Sequence, residues 1–123
     1  MLALVPGLMF LSLAIAAPSA GVQAEVRYLL QYIENSGCEF YRNGLWYDGT
    51  HASAHLRNKY EYFVARDQLR TTEDFIDRAA TKSSISGIPY QIRCIGGAPV
   101  DSNGWLLEAL AAYRQTKVAL PVR

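Results

Sequence analysis

Charge is missing from one end of this chain. Residues 1–24 carry no Asp, Glu, Lys or Arg; all twelve basic and eleven acidic residues of the 123 fall after Ala24. Their near balance leaves a formal net charge of +1, with no overall field to draw in nucleic acid or an anionic membrane. The signs alternate along the chain without a run of like charge, so nucleic acid is not an expected partner. Cysteine and histidine are scarce, at two each, and there is no C-x-x-C for redox work. The sequence also lacks H-E-x-x-H, G-x-S-x-G and S-x-x-K, the short patterns whose hydrolytic mechanics are understood. Internal repeats, linkers and low-complexity stretches are absent too, which leaves a single domain on the usual prior of about 100–200 residues.

The uncharged end is apolar from Leu2 to Ala17, broken only by Pro6, Gly7 and Ser12. A run of about 15 residues is short for a membrane span, which needs about 20, and suits the hydrophobic region of a signal peptide. Val22-Gln23-Ala24 puts small residues at −3 and −1, so residues 1–24 are expected to be cleaved from a mature domain of 25–123. The leader has no Lys or Arg, and an uncleaved N-terminal anchor is the competing reading. Cleavage implies a periplasmic or secreted protein without a stable membrane span. In an oxidising compartment two cysteines read as one disulfide, Cys38–Cys94, within about 7 Å between Cα atoms.

Along the mature chain, Val26, Leu29, Leu30 and Ile33 form the i, i+3, i+4, i+7 stripe of a helix over 25–36, with Gly37 to end it. Cys38–Arg42 and Leu45–Tyr47 flank Asn43-Gly44, a two-residue hairpin signal because both central positions need φ > 0. Asp48 can cap a helix over about 50–66 bearing Ala52, Leu56, Tyr60 and Phe63. Thr71 starts another, with Phe75, Ile76, Ala79 and Ala80 as its buried stripe. A hydroxyl-rich loop, Lys82–Gly87, precedes a strand alternating through Tyr90, Ile92 and Cys94. Ser102 is expected to cap a last helix with Trp105, Leu106, Ala109, Leu110 and Tyr113 inward, and the tail from about Val118 is expected to be loose. The order α-β-β-α-α-β-α predicts an α+β domain, a small antiparallel or mixed sheet packed by about four helices, with the disulfide tying first strand to last.

Several uncommon strings then occur in order. Ser36-Gly37-Cys38-x-Phe40-x-Arg42-Asn43-Gly44, Tyr47-Asp48, Ala54-His55-Leu56-Arg57-x-Lys59-Tyr60, Glu73-Asp74-Phe75-Ile76, and Ser83-Ser84-x-Ser86-Gly87-x-Pro89-Tyr90 with Cys94 resemble the YfeK-like proteins. The resemblance spans nearly the whole mature chain and implies a small exported bacterial domain of unknown function with paired cysteines. It supplies no catalytic residue, and His51 lies outside its pattern.

Three constellations carry what chemistry the sequence offers. His51 and His55 share a helix face as zinc-binding pairs do, but the glutamate of a zinc hydrolase and further ligands are missing, and no metal or other cofactor is expected. His55 and Lys59 lie at i, i+4; with Arg42 and Asn43 of the hairpin and the hydroxyls of Ser83, Ser84 and Ser86 they outline a polar pocket for a small anion or sugar. The bland alternative pairs Arg42 and Lys59 with surface acids and leaves the serines to cap a helix end. Eight tyrosines and two tryptophans exceed the needs of a small core, and Tyr28, Tyr32, Tyr41 and Tyr62 fall off the main stripes, as in a partner-binding surface. The sequence leans away from an enzyme. Its principal reading is a binding or interaction module for an envelope protein or small polar ligand; the second is a small hydrolase or anion- or sugar-binding protein using His55 and the Ser83–Ser86 loop.

Overall fold

The computed structural model describes Gly7 and residues 17–118. The apolar run of the expected leader and the end of the tail, 119–123, lie outside the described residues. Helix α1 spans Ala20–Asn35 and buries Val26, Leu29, Leu30 and Ile33, the stripe its spacing predicts. Its start differs from the expected residue 25. Ser19 accepts from the Val22 amide as N-cap, and the Gln23 side chain donates to the Pro18 carbonyl, so the first turn is anchored upstream of Glu25.

Strands β1 (Glu39–Arg42) and β2 (Leu45–Tyr47) make the expected hairpin, with Asn43 and Gly44 at φ 48° and 89°. Helix α2 (Gly49–Ala65) starts at Asp48, whose carboxylate accepts from the His51 amide. Gly49 is where α2 meets α1: a Cβ there would collide with the Ile33 carbonyl oxygen. Ser53, four residues on, donates to the Leu30 carbonyl and secures the same crossing.

Thr71 and Asp74 close a capping box at α3 (Thr72–Asp74), which continues as a π-helical turn, Phe75–Ala79. Phe75, Ile76, Ala79 and Ala80 are all buried, as expected. The wider winding of that turn is not readable from side-chain spacing over five residues.

Strand β3 (Gln91–Arg93) is followed by β4 (Val100–Asp101), which the sequence reading omits. Both β4 residues are exposed and follow a Gly-Gly-Ala-Pro break, so no alternation marks them. The sheet is antiparallel throughout, in the order β2-β1-β3-β4. Helix α4 (Ser102–Val118) closes the fold, burying Leu106, Ala109 and Leu110. Ser102 is its first residue rather than its cap, buried and donating to the Ala80 carbonyl.

Pairing of Glu39 with Arg93 places Cys38 and Cys94 at the next opposed position, and they form the disulfide with Cα atoms 4.3 Å apart. That spacing is close to the ~4.5 Å of a non-hydrogen-bonded antiparallel pair. The bond therefore joins neighbouring strands, but β3 is the third of four rather than the last. Phe40 and Ile92 face the helices and join the core; Glu39, Tyr41, Trp46, Gln91, Arg93 and Asp101 alternate to the other face, where none is buried. There Arg93 pairs with Glu39 at 3.0 Å and lies 4.0 Å over the Trp46 ring.

Candidate functional site

Strand alternation sets up the site. Arg42 is two residues beyond Phe40, so it stays on the helix-facing side but lies past the edge of the core. Extending the β1–β3 register by the same two residues brings Arg42 opposite Tyr90. Helix α2 crosses here with His55 and Lys59 one turn apart, and the Lys82–Pro89 bridge folds the serine loop against them. Arg42, Asn43, His55, Lys59, Ser83 and Ser84 all line one open groove of about 700 Å³, together with Tyr47, Tyr62, Phe63 and Tyr90. Ser86 is exposed and does not line the groove.

Tyr90 is the residue at its centre. The Lys59 ammonium donates to the Tyr90 hydroxyl at 3.1 Å, and the His55 Nε2 lies 3.2 Å from the same oxygen. An ammonium can only donate, so the phenol oxygen accepts from Lys59, while the direction of its hydrogen bond with His55 Nε2 follows the imidazole tautomer. Lys59 donates again to the Lys82 carbonyl at 3.0 Å. Sequence reasoning misses Tyr90 because its place in an alternating strand reads as core packing. Only the pairing of β1 with β3 shows that its phenol meets two side chains of α2.

The electrostatics run against the resident charges. Burial, then the charges of Arg42 and Lys59, push His55 down to about 4, so the imidazole is neutral near pH 7. Burial and Arg42 push Lys59 down to about 8, leaving it mostly protonated. Burial raises the Tyr90 phenol, which keeps its proton. Among the described residues neither Arg42 nor Lys59 forms a salt bridge. Arg42 instead lies 4.7 Å over the Tyr47 ring.

The serines hold the loop and the hairpin together. Ser83 is buried and accepts from the amides of Ile85 and Ser86 and from the Asn43 side chain. Ser86 donates to the Asn43 carbonyl oxygen at 2.6 Å, so both ends of that amide are fixed to the loop. Ser83 and Ser86 therefore satisfy the loop and the hairpin rather than cap a helix end, and among the described residues no acid pairs with Arg42 or Lys59. No serine hydroxyl hydrogen-bonds to His55 among the described residues. His51 is exposed and bound through Nδ1 to Asp48 at 2.7 Å, and no described cluster of three or more His, Cys, Asp or Glu could hold a metal ion.

The off-stripe tyrosines divide. Tyr32 and Tyr62 are exposed, Tyr28 and Tyr41 half-buried. Tyr28 stacks on Tyr113 at 4.2 Å between ring centres and Tyr32 packs at a tilt against Trp105 at 4.7 Å, so much of this surface packs on itself.

The domain is thus a small helix-backed antiparallel sheet with an open cationic groove at one end. It belongs to DUF5329, a family of unknown function whose sequence profile matches residues 20–114. No curated protein and no solved structure matches the chain. The family match starts where α1 starts, at Ala20. Among the described residues no helix is long and apolar enough to cross a membrane.

Proposed function

We propose that this protein is an exported binding module whose groove takes a small anion between Arg42, Lys59 and the Tyr90–His55 pair. One observation carries the reading: Arg42 and Lys59 converge on a half-buried groove with no acidic partner among the described residues. Buried charge without a counter-charge is costly, and the lowered Lys59 value reflects that cost. An anion in the groove offsets it. Arg42 supplies a planar fork suited to carboxylate or phosphate, Lys59 a point charge and Tyr90 an orienting hydroxyl. His55, neutral in the empty groove, gains a proton more readily once an anion is present. Export rests on the uncharged leader and on the disulfide, which suits an oxidising compartment.

The test is calorimetric titration of the full chain with inorganic phosphate and with acetate. Lys59→Met and Arg42→Gln should each weaken binding by about tenfold or more, since hydrogen bonds to charged groups are worth about 1.5–3 kcal/mol. Equal affinity in both variants, with their melting unchanged, would exclude the groove as the site.

A further inference from the structure

Behind the groove lies a second, more enclosed space of about 110 Å³, between α2 and the inner face of the sheet. Its floor is apolar, made by Ile33, Phe40, Leu56, Ile92 and Leu106, with Ala52 of α2 on its wall. Four residues belong to both spaces: Arg42, Tyr47, His55 and Tyr90. Arg42, His55 and Tyr90 therefore stand on the rim of an apolar cavity, with Lys59 on its outer, groove side.

Native interiors keep few voids larger than a water molecule, and apolar ones stay dry unless an apolar group fills them. A cavity of roughly 150 Å³ holds a benzene ring, which sets the scale for an occupant of this one at a few carbons to one small ring. Water is a poor tenant, because a bound water needs two to four polar partners and the floor offers none. Ser102 also borders the space, but its one hydroxyl proton is donated to the Ala80 carbonyl.

Building on the anion-binding reading, we infer that the ligand is amphipathic: a short-chain or aryl carboxylate whose apolar group enters this cavity while its carboxylate stays at Arg42, Lys59 and Tyr90. The two halves of such a molecule match the two halves of the site, and the shared rim fixes how they join. A free inorganic anion fills only the outer half.

A titration series separates this inference from the reading it builds on. Acetate, butyrate, hexanoate and benzoate are titrated into the full chain, with inorganic phosphate and benzyl alcohol alongside. Affinity should rise about fourfold per methylene until the cavity is full, and benzoate should exceed acetate at least tenfold. Ala52→Leu, which fills the cavity from α2, should abolish the chain-length dependence and leave acetate binding within about twofold of the parent. If phosphate and all four carboxylates bind equally, the cavity is not a subsite and only the anion reading survives. If benzyl alcohol binds as well as benzoate, or nothing binds at all, both are overturned. Should Ala52→Leu not fold, the chain-length series in the parent protein decides alone.

Discussion

His55 sits in the groove in the neutral form that its surroundings favour, whereas Lys59 stays mostly protonated although the same surroundings penalise its charge. Their pH linkage follows from that. The folded His55 titrates near 4 and the unfolded one near 6.5, so between those values the unfolded chain binds more protons and stability rises with pH. Folded Lys59 titrates near 8 and unfolded near 10.5, so a second rise is expected across that interval. Urea unfolding of the parent and of a His55→Asn variant from pH 4 to 7 checks the first window. The variant should flatten the slope, and an unchanged slope would show that His55 is not responsible. Anion affinity has the opposite dependence, falling as Lys59 loses its proton above about 8. At this scale the sequence was informative for charge and silent on Tyr90. Arg42, Asn43, His55, Lys59, Ser83 and Ser84 announce themselves by type and local spacing. A tyrosine in an alternating strand does not, since its role depends on side chains more than thirty positions away.

Among the elements, the β1–β3 pair matters most to the groove. It is fastened at one end by the Cys38–Cys94 bond and at the other by Asn43 on the serine loop, with Arg42 and Tyr90 beside that second fastening. The bond spans a sequence separation of 56, for which the chain-entropy account gives about 4 kcal/mol. Cys38→Ser/Cys94→Ser should lower unfolding stability by about that amount in denaturant titration; a loss under about 1 kcal/mol would mean that the sheet holds its register without the crosslink. Element types were legible where a local rule dominates: the helical stripes, the Asn-Gly turn, the Asp48 and Thr71 caps. They were not where long-range pairing dominates. The exposed Val100–Asp101 strand exists because β3 offers an edge, and Ser102 faces inward because the Ala80 carbonyl needs a donor.

For the molecule as a whole, the boundary with the most structural consequence is at the N-terminus. A cut after Ala24 would remove Ser19, the first turn of α1 and Val22, which packs against the core. Glu25, which would become the first residue, accepts from Arg114 of α4 at 2.7 Å and 3.0 Å, and Arg114 also reaches Glu73. That salt bridge holds Glu25 below its ordinary value and joins α1, α3 and α4. Export with the cap retained places cleavage upstream of Ser19, where Ala14-Ile15-Ala16 also puts small residues at −3 and −1. If the proposed export holds, intact-mass measurement on the chain recovered from the periplasm or medium is expected to start at Ala17. A start at Glu25 would mean that the domain does without its first turn, and Met1 would rule out cleavage.

The groove's residues reach it from three separate stretches of chain, and Tyr90 joins Arg42 only when β3 docks on β1 across some fifty residues. Closing so long a loop is an entropic hurdle that local helices do not share. The helices and the hairpin can form early, each from its own neighbourhood, whereas the groove is expected to form late. On the proposed reading an anion would have nothing to hold until that last docking, and the crosslink, once made, keeps the two distant stretches from drifting apart again.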